Sequence, residues 1–541
     1  MNIKKSKNYK KNHNRVFVSG VLILSCSTVL VKLLGLAYKI PMLSLLGAEG
    51  MGYFNSAYEI YALLCLVATT GLPVAISMLV SAANVNGQNN ESKAILNSAT
   101  KIALLFGVVA TCLLIVLSKD IALFIGNPRA SKCIVAIAPS LLFVCISGVY
   151  RGYFQGLNQM YPTAISQLIE TVGKLTLGVF FVSVMLSRGI DTASLASFAA
   201  WGLTIGMFMS SLYLFVNMKW DGRKNKLSVS KEYKLNRISK TLLKISVPIT
   251  LSSIVIGSTR IIDMTLILRR LQDIGIGVSE ANQMYGAYTT LAVPVFGLIP
   301  SLIAPVSLAL IPGLSSAIER KDALAEAEVA NNAIRLTILL ALPSSMAIAT
   351  FSNAILGILF SGEQESVDFA SPLLAILGAS VLFSCLITTT NAVLHSYRKT
   401  VTPIISMACG CLVKLVSAYF LIGDSSIGII GAPISTLLCD LTVTLINLIN
   451  VVKCIPEVKG TVNSLWRVFV ASLGAIAASL GVYVLMNNNI QIHAVAFIGA
   501  VVVAVIVYFV LIFAVRAITV KDLEMLPMGD RISVLFIKKK S

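Results

Sequence analysis

Charge is scarce in this sequence. Only 12% of its 541 residues are Asp, Glu, Lys or Arg, while 56% are hydrophobic. A soluble domain carries about twice that charged share, so a water-soluble fold is excluded. Histidine is almost missing: His13, His395 and His493 are the only three, and none stands with a plausible nucleophile. No Gly-x-x-x-x-Gly-Lys-Ser/Thr loop is present to cradle a nucleotide phosphate. The loops are too short for a soluble catalytic domain. These absences point away from an enzyme and from direct ATP drive, and towards a carrier. The ten cysteines are scattered through apolar segments. Cys409 and Cys411 lie close together but lack partner ligands. All ten read as small buried hydrophobes, and neither a metal nor a cofactor is expected.

What the sequence has is apolar length. About 20 apolar residues cross a bilayer core. Hydrophobic windows give fourteen spans, beginning with 16–42, 53–83, 97–118 and 132–155 and closing with 465–487 and 492–516. An all-α polytopic membrane protein follows. The basic start, Met1–Arg15, resembles a secretory signal. No convincing small-x-small cleavage site follows it, so the first run reads as a retained span.

The formal net charge of +19 would suggest nucleic acid in a soluble protein. Here the bases sit in loops and tails, where they orient the chain and meet anionic lipid. No nucleic-acid partner is expected. Of 43 Lys and Arg, 31 fall on the face that carries both termini and six on the other, namely Lys119, Arg129, Lys132, Arg188, Arg269 and Arg270. This bias predicts cytoplasmic termini.

The chain repeats itself. Gln155, Ile165, Ser166, Lys174, Leu175 and Phe180 precede His395, Ile405, Ser406, Lys414, Leu415 and Phe420 by 240 residues. Leu72-Pro73-Val74 is echoed by Ala304-Pro305-Val306. The predicted organisation is a basic tail (1–15), a six-span N-lobe (16–218), a basic linker (219–241), a six-span C-lobe (242–452), two appended spans (465–516) and a cytoplasmic tail (517–541). An even number of spans per half implies a twofold pseudo-axis along the membrane normal and a central cavity.

Charges inside spans mark that cavity, because each costs on the order of 3 kcal/mol at bilayer depth. Lys32 and Lys39 are two helical turns apart, so they share a face of the first span, roughly 10 Å apart. Gly35 lies between them, where a ligand can come close. Arg260 and Asp263 share a face of span seven, the repeat partner of span one. Positive charge on both lead helices suits an anionic ligand such as phosphate. Lys32, Lys39 and Arg260 are the primary site candidates. Glu59, Arg151, Gln155, Glu170, Lys174, Asp263, His395 and Lys414 are secondary ones. Internal pairing competes with ligand binding: Arg260 with Asp263, Glu170 with Lys174, Asp440 with Lys414. Glu59 stands among Tyr53, Tyr58 and Tyr61, which suit a sugar or line an interface.

Several stretches resemble the stage V sporulation protein B family. They are Arg151-Gly-Tyr-Phe-Gln-Gly-Leu-Asn-Gln-Met-Tyr-Pro162 with Ala164-Ile-Ser-Gln-Leu-Ile-Glu170, Lys32-Leu-Leu-Gly-Leu-Ala-Tyr-Lys-Ile-Pro41, Gly71-Leu-Pro-Val-Ala-Ile-Ser77 and Arg269-Arg-Leu271. The resemblance covers nearly the whole chain. That family belongs to the multidrug/oligosaccharidyl-lipid/polysaccharide exporter superfamily and is similar to the MurJ lipid II flippases. It implies fourteen spans, two six-helix lobes and a cationic cavity. The implied activity is export of an undecaprenyl-pyrophosphate-linked glycan precursor, most often lipid II, for cell wall or spore cortex. The implied setting is a monomer in the plasma membrane, among membrane lipids and cell-wall synthesis proteins.

The resemblance also places residues. Lys32 falls where MurJ proteins carry an arginine, and lysine lacks the bidentate fork. Their span-eight arginine has no equivalent near Tyr285–Leu291. Asp263 matches one sodium ligand of some MurJ proteins, but Lys414 stands where another carboxylate is wanted, so no sodium site is expected. Three alternatives stay open: a flippase for another polymer's repeat unit, a cation-coupled drug exporter, and a non-transporting scaffold.

Overall fold

The structure, a computed structural model, describes residues 2–85, 89–224, 235–458, 465–490 and 493–515. The side chains of 2–26 and of a few other positions, including 252, 253, 255, 256, 306, 308, 309 and 312, are outside that description. Residues 225–234 of the linker expected at 219–241 and the whole tail at 517–541 lie outside it too. Helix is the only regular structure among the described residues. Hydrocarbon offers backbone groups no partners, so each span must bond within itself.

Two compact units divide the chain, Met1–Thr290 and Leu291–Ser541. Unit 1 holds α1 (Asn2–Val85), α2 (Asn89–Val116), α3 (Ser118–Phe124), α4 (Ser131–Ile137), α5 (Ser140–Gly156), α6 (Tyr161–Leu186), α7 (Thr192–Lys224), α8 (Leu235–Asp273) and α9 (Val278–Ala287). A π-helical turn, Tyr288–Ala292, leads out of it. Unit 2 holds α10 (Val293–Arg320), α11 (Ala323–Thr350), α12 (Ser352–Leu359), α13 (Gln364–Ser396), α14 (Val401–Ile422), α15 (Gly431–Cys454), α16 (Leu465–Ile490) and α17 (His493–Ala514). By packing, α8 and α9 go with unit 1, since both lie along α1. The repeat boundary expected at 219–241 is therefore not the packing boundary.

Eleven described helices are long and apolar enough to cross a membrane, or twelve if a bent pair counts as one span. The fourteen expected spans are not all separate. Those at 16–42 and 53–83 run together as α1, which continues past Pro41 and breaks at Gly47 (φ 66°, ψ 175°). Only glycine takes that backbone without strain. Its apolar part, Ser27–Asn84, has 58 residues, about 87 Å of helix, long enough for two crossings. The span expected at 132–155 is the bent pair, α4 with its preceding turn and α5, at 42°. Pro139 sits at that bend and has no N–H to give the preceding turn. The Leu235–Asp273 helix, part of whose side chains are not described, is not among the eleven.

Small residues set the packing of unit 1. A Cβ at Gly152 would meet the Pro73 carbonyl at 2.6 Å, and one at Gly173 would meet Gly206 Cα at 2.8 Å. Backbones this close maximise dispersion where no hydrophobic effect operates between helices. In unit 2, Ile334, Ile338, Leu394, Val451, Val468 and Ile512 form one core. It joins α16 and α17 to α11, α13 and α15. Tyr508 donates to the Leu339 carbonyl at 2.6 Å, and the Phe351 ring meets Tyr483 and Phe497 edge-on.

The 240-residue repeat is visible in the backbone. Asn158 and Arg398, 240 apart, both adopt left-handed φ, 59° and 58°. The amides of Gln159 and Lys399 close back on the Phe154 and Leu394 carbonyls at 2.8 and 3.0 Å. Both turns are the same helix-ending motif. Gln155 and His395 occupy the last turns of α5 and α13, where their carbonyls accept from Asn158 and Arg398.

Candidate functional site

The charged side chains of unit 1 converge. Lys32 stands on the N-terminal half of α1 and is exposed. Gly35, one turn on, has nothing within 4 Å of where its Cβ would be, so the surface beside Lys32 is open there. Lys32 is within electrostatic range of Arg260 on α8. The Arg260 guanidinium is 67% exposed and lies 4.0 Å from Glu59 on α1. Glu59 also feels Lys39 and Asp263, and Lys39 feels Lys174. Five bases, Lys32, Lys39, Arg151, Lys174 and Arg260, thus share one region with three carboxylates, Glu59, Glu170 and Asp263.

Lys39 is not open to a ligand as expected. Its ammonium donates to the Thr289 carbonyl at 2.7 Å. Thr289 lies in the π-helical turn, where the donor for its carbonyl would be the amide five residues on. That residue is Pro294, which has no N–H. The proline orphans a carbonyl in the membrane, and the lysine fills it. Asn55 completes the clasp, donating to the hydroxyls of Thr289 and Thr290 at 2.9 and 2.8 Å.

The pairing expected between Glu170 and Lys174 is replaced. Glu170 accepts from Arg151 at 3.0 Å. The same guanidinium donates to Ser166 at 2.9 Å and Ser210 at 3.2 Å, tying α5, α6 and α7 together. A fork with five donors can serve three helices at once, which an ammonium cannot. Lys174 lies instead over aromatic faces, 4.6 Å from the Tyr38 and Tyr58 ring centres and 5.5 Å from Phe54. Such cation–π contacts hold a desolvated ammonium. Of the three tyrosines near Glu59, Tyr58 belongs to this cage, while Tyr53 donates to Glu49 at 2.6 Å. His395 is exposed on α13 and Lys414 is half-buried on α14, both in unit 2. Asp440 there accepts from Ser380 at 2.7 Å.

A second polar network closes the Gly47 end of unit 1. Asn127 donates to Ser56 at 3.0 Å and to Asn282 at 2.6 Å. Asn282 donates to the Glu49 carbonyl at 2.7 Å, and Ser279 to the Glu49 carboxylate at 2.6 Å. A Cβ at Gly286 would overlap the Ala48 carbonyl, so α9 lies directly on α1. None of these residues was flagged by charge or spacing. The asparagines themselves, Asn127 before Pro128 and Asn282 in α9, were the available signal. Among the described residues, no three of His, Cys, Asp and Glu gather as a metal site.

Comparison with known proteins bears on the family and the fold. The family model described as "Polysaccharide biosynthesis protein" matches residues 17–318, and the "MatE" model matches 280–420. Stage V sporulation protein B of Bacillus subtilis (strain 168) is 25% identical over 96% of this chain and 99% of its own. Lipid II flippase MurJ of the same organism is 25% identical over 73% of this chain and 76% of its own. Among solved structures, lipid II flippase MurJ in an inward closed conformation superposes with TM-score 0.67 at 16% identity, covering 91% of this chain and 98% of that one. An inward-facing multidrug resistance MATE transporter gives 0.68 at 14% identity, covering 82% and 99%. The fold is therefore that of MurJ and MATE proteins, and the match over more than half its length makes this multi-pass membrane protein a member of the polysaccharide biosynthesis protein family.

Proposed function

We propose that this protein flips a polyprenyl-pyrophosphate-linked glycan precursor of the lipid II class across the cytoplasmic membrane, with both termini cytoplasmic. One observation carries the reading: Lys32 and Arg260 are exposed and repel one another, and the surface at Gly35, one turn from Lys32, is open. A pyrophosphate placed between them relieves that repulsion and gains two charge-assisted contacts. Glu59 holds Arg260 only loosely, at 4.0 Å, so the anion displaces it at little cost. Lys39 and Lys174 are engaged by the protein and set the field around the site. The polyprenyl tail stays in lipid.

Under this sidedness the Gly47 end is the outer one. Its asparagine network holds the outside shut while the head enters from within. Neutralising Lys32 and Arg260 lets the inner side close and the outer network part. An empty carrier with excess positive charge is drawn back by the membrane potential, at about 2.3 kcal/mol per charge per 100 mV. The relatives named for lipid II flipping and sporulation support the substrate class. A second reading, another lipid-linked repeat unit, is favoured by the family's polysaccharide description and by a lysine at position 32 in place of a forked arginine.

The test is lipid II translocation in cells depleted of their own flippase, with membrane levels matched. Wild type restores translocation. Lys32→Ala and Arg260→Ala each lower it about tenfold or more, the value of one charged hydrogen bond. No rescue by a well-inserted wild type would move the assignment to another glycan. Full rescue by both variants would remove the proposed head site.

A further inference from the structure

We propose that the outer groove between α2 and α7, floored by α5, binds an anionic glycerophospholipid. The groove holds a cleft of about 390 Å³ where α2 begins and where α5 and α7 end. Asn97 and Lys101 line it from α2, Tyr150 from α5, and Phe215 and Met218 from α7. Lys219 adds a second ammonium, 4.6 Å over the Phe215 ring. Among the described residues, no carboxylate lines the cleft and neither lysine makes an ion pair. Two ammonium groups at one cleft, with no counter-charge among the described side chains, suit a phosphodiester. Basic pockets between membrane helices at the cytoplasmic end have this character.

The rest of the groove says the phosphate belongs to a lipid. On α5 and α7 the ring pair Tyr150–Phe215, at 6.3 Å, is followed by the pair Phe143–Phe208, at 5.1 Å. Both steps are seven residues, so the second pair lies about 10 Å deeper. The wall beside it is apolar and exposed: Leu105 is 70% and Leu212 47% exposed. Gly107 lets α2 settle against Leu142 of α5 there, with a Cβ position only 3.1 Å from Leu142 Cα, so the furrow floor is backbone-close. Trp220, 68% exposed beside Lys219, marks the headgroup level, where indoles partition. A free anion would use the basic end alone. A phospholipid uses the basic end and the furrow together. The groove shares no residue with the Lys32 and Arg260 region.

Native mass spectrometry of the full chain in detergent tests this, with phosphatidylglycerol and phosphatidylcholine of the same acyl chains as probes. The first phosphatidylglycerol should bind about 30-fold more tightly than phosphatidylcholine, the value of two lysines near a lipid phosphate. The double variant Lys101→Gln/Lys219→Gln should bring the two lipids level, and Lys119→Gln on α3 should change nothing. Leu212→Lys, which blocks the furrow and leaves both lysines, should also weaken phosphatidylglycerol. Equal binding of the two lipids by wild type, or undiminished binding by the double variant, would overturn the site. Displacement of the bound lipid by millimolar inorganic phosphate would make it a soluble-anion site instead.

Discussion

The helix triples α5–α6–α7 and α13–α14–α15 hold the same repeat positions and are joined by different chemistry. In the first, Arg151 binds Glu170, Ser166 and Ser210. In the second, Asn447 receives Ser406 at 2.6 Å and donates to Asn391 at 2.8 Å and Thr390 at 3.2 Å. Ser166 and Ser406, 240 residues apart, serve in both. The packing position persisted while the charge did not. A neutral amide joins helices without the desolvation that an ion pair in apolar surroundings demands. The first triple belongs to the charged region of unit 1, so the ion pair has a second consequence there: it fixes the charge balance of the region. The lesson is that an intramembrane charge need not be a ligand site, even in a transporter. Lys32 and Arg260 face open space, whereas Arg151, Lys39 and Lys174 are structural in this state.

The comparison can be broken at several points. The largest effect is expected from Arg151→Met, which strands Glu170 and should cost about 3 kcal/mol or more. Thermal unfolding in detergent checks it, and Arg151→Met/Glu170→Met should recover most of the loss. Asn447→Leu leaves Ser406 and Asn391 without their partner and should cost about 1–2 kcal/mol by the same assay, with no charge to strand. Gly286→Ala pushes α9 off the Ala48 carbonyl at about 1–3 kcal/mol, and should make Ser279→Cys react faster with a water-soluble thiol reagent. Pro294→Ala returns an N–H to the Thr289 carbonyl and competes with Lys39, a shift of about 1 kcal/mol. Faster modification of Lys39 by an amine reagent would register it.

The smallest effect lies outside the membrane, at the start of α7. The Ser194 side chain and backbone amide, with Lys132, hold the Asp191 carboxyl below its usual range. A depressed carboxyl adds stability above its unfolded value, about 3.9, and loses it as pH falls through the folded value. Stability should dip only below about pH 4, and Asp191→Asn should remove the dip.

Much of this was legible in the residues. A basic residue in an apolar run is an anomaly that needs water or a partner, which singled out Lys32, Lys39 and Arg260. The 240-residue offset foresaw the paired turns at Asn158 and Arg398. Partners were less legible. Glu170 and Lys174, four apart, look like a pair on helical geometry alone, but Arg151 arrives from α5 with more donors. Lys39 bonds a carbonyl 250 residues away, freed by a proline whose effect depends on a π-helical turn. Asn127, in the loop before Pro128, and Asn282, in α9, carry no periodic signal, because an isolated amide looks the same in sequence whether it faces lipid or a partner.

The sequence by itself determined the membrane class, the helical elements and the repeat. These follow from local quantities: apolar length, helical period, and turn residues that recur at one offset. Only the tertiary structure decided which charges are spent inside the protein and which stay exposed. Hydrogen bonds and Coulomb forces act over a few ångströms, so their outcome depends on which helices come to face one another.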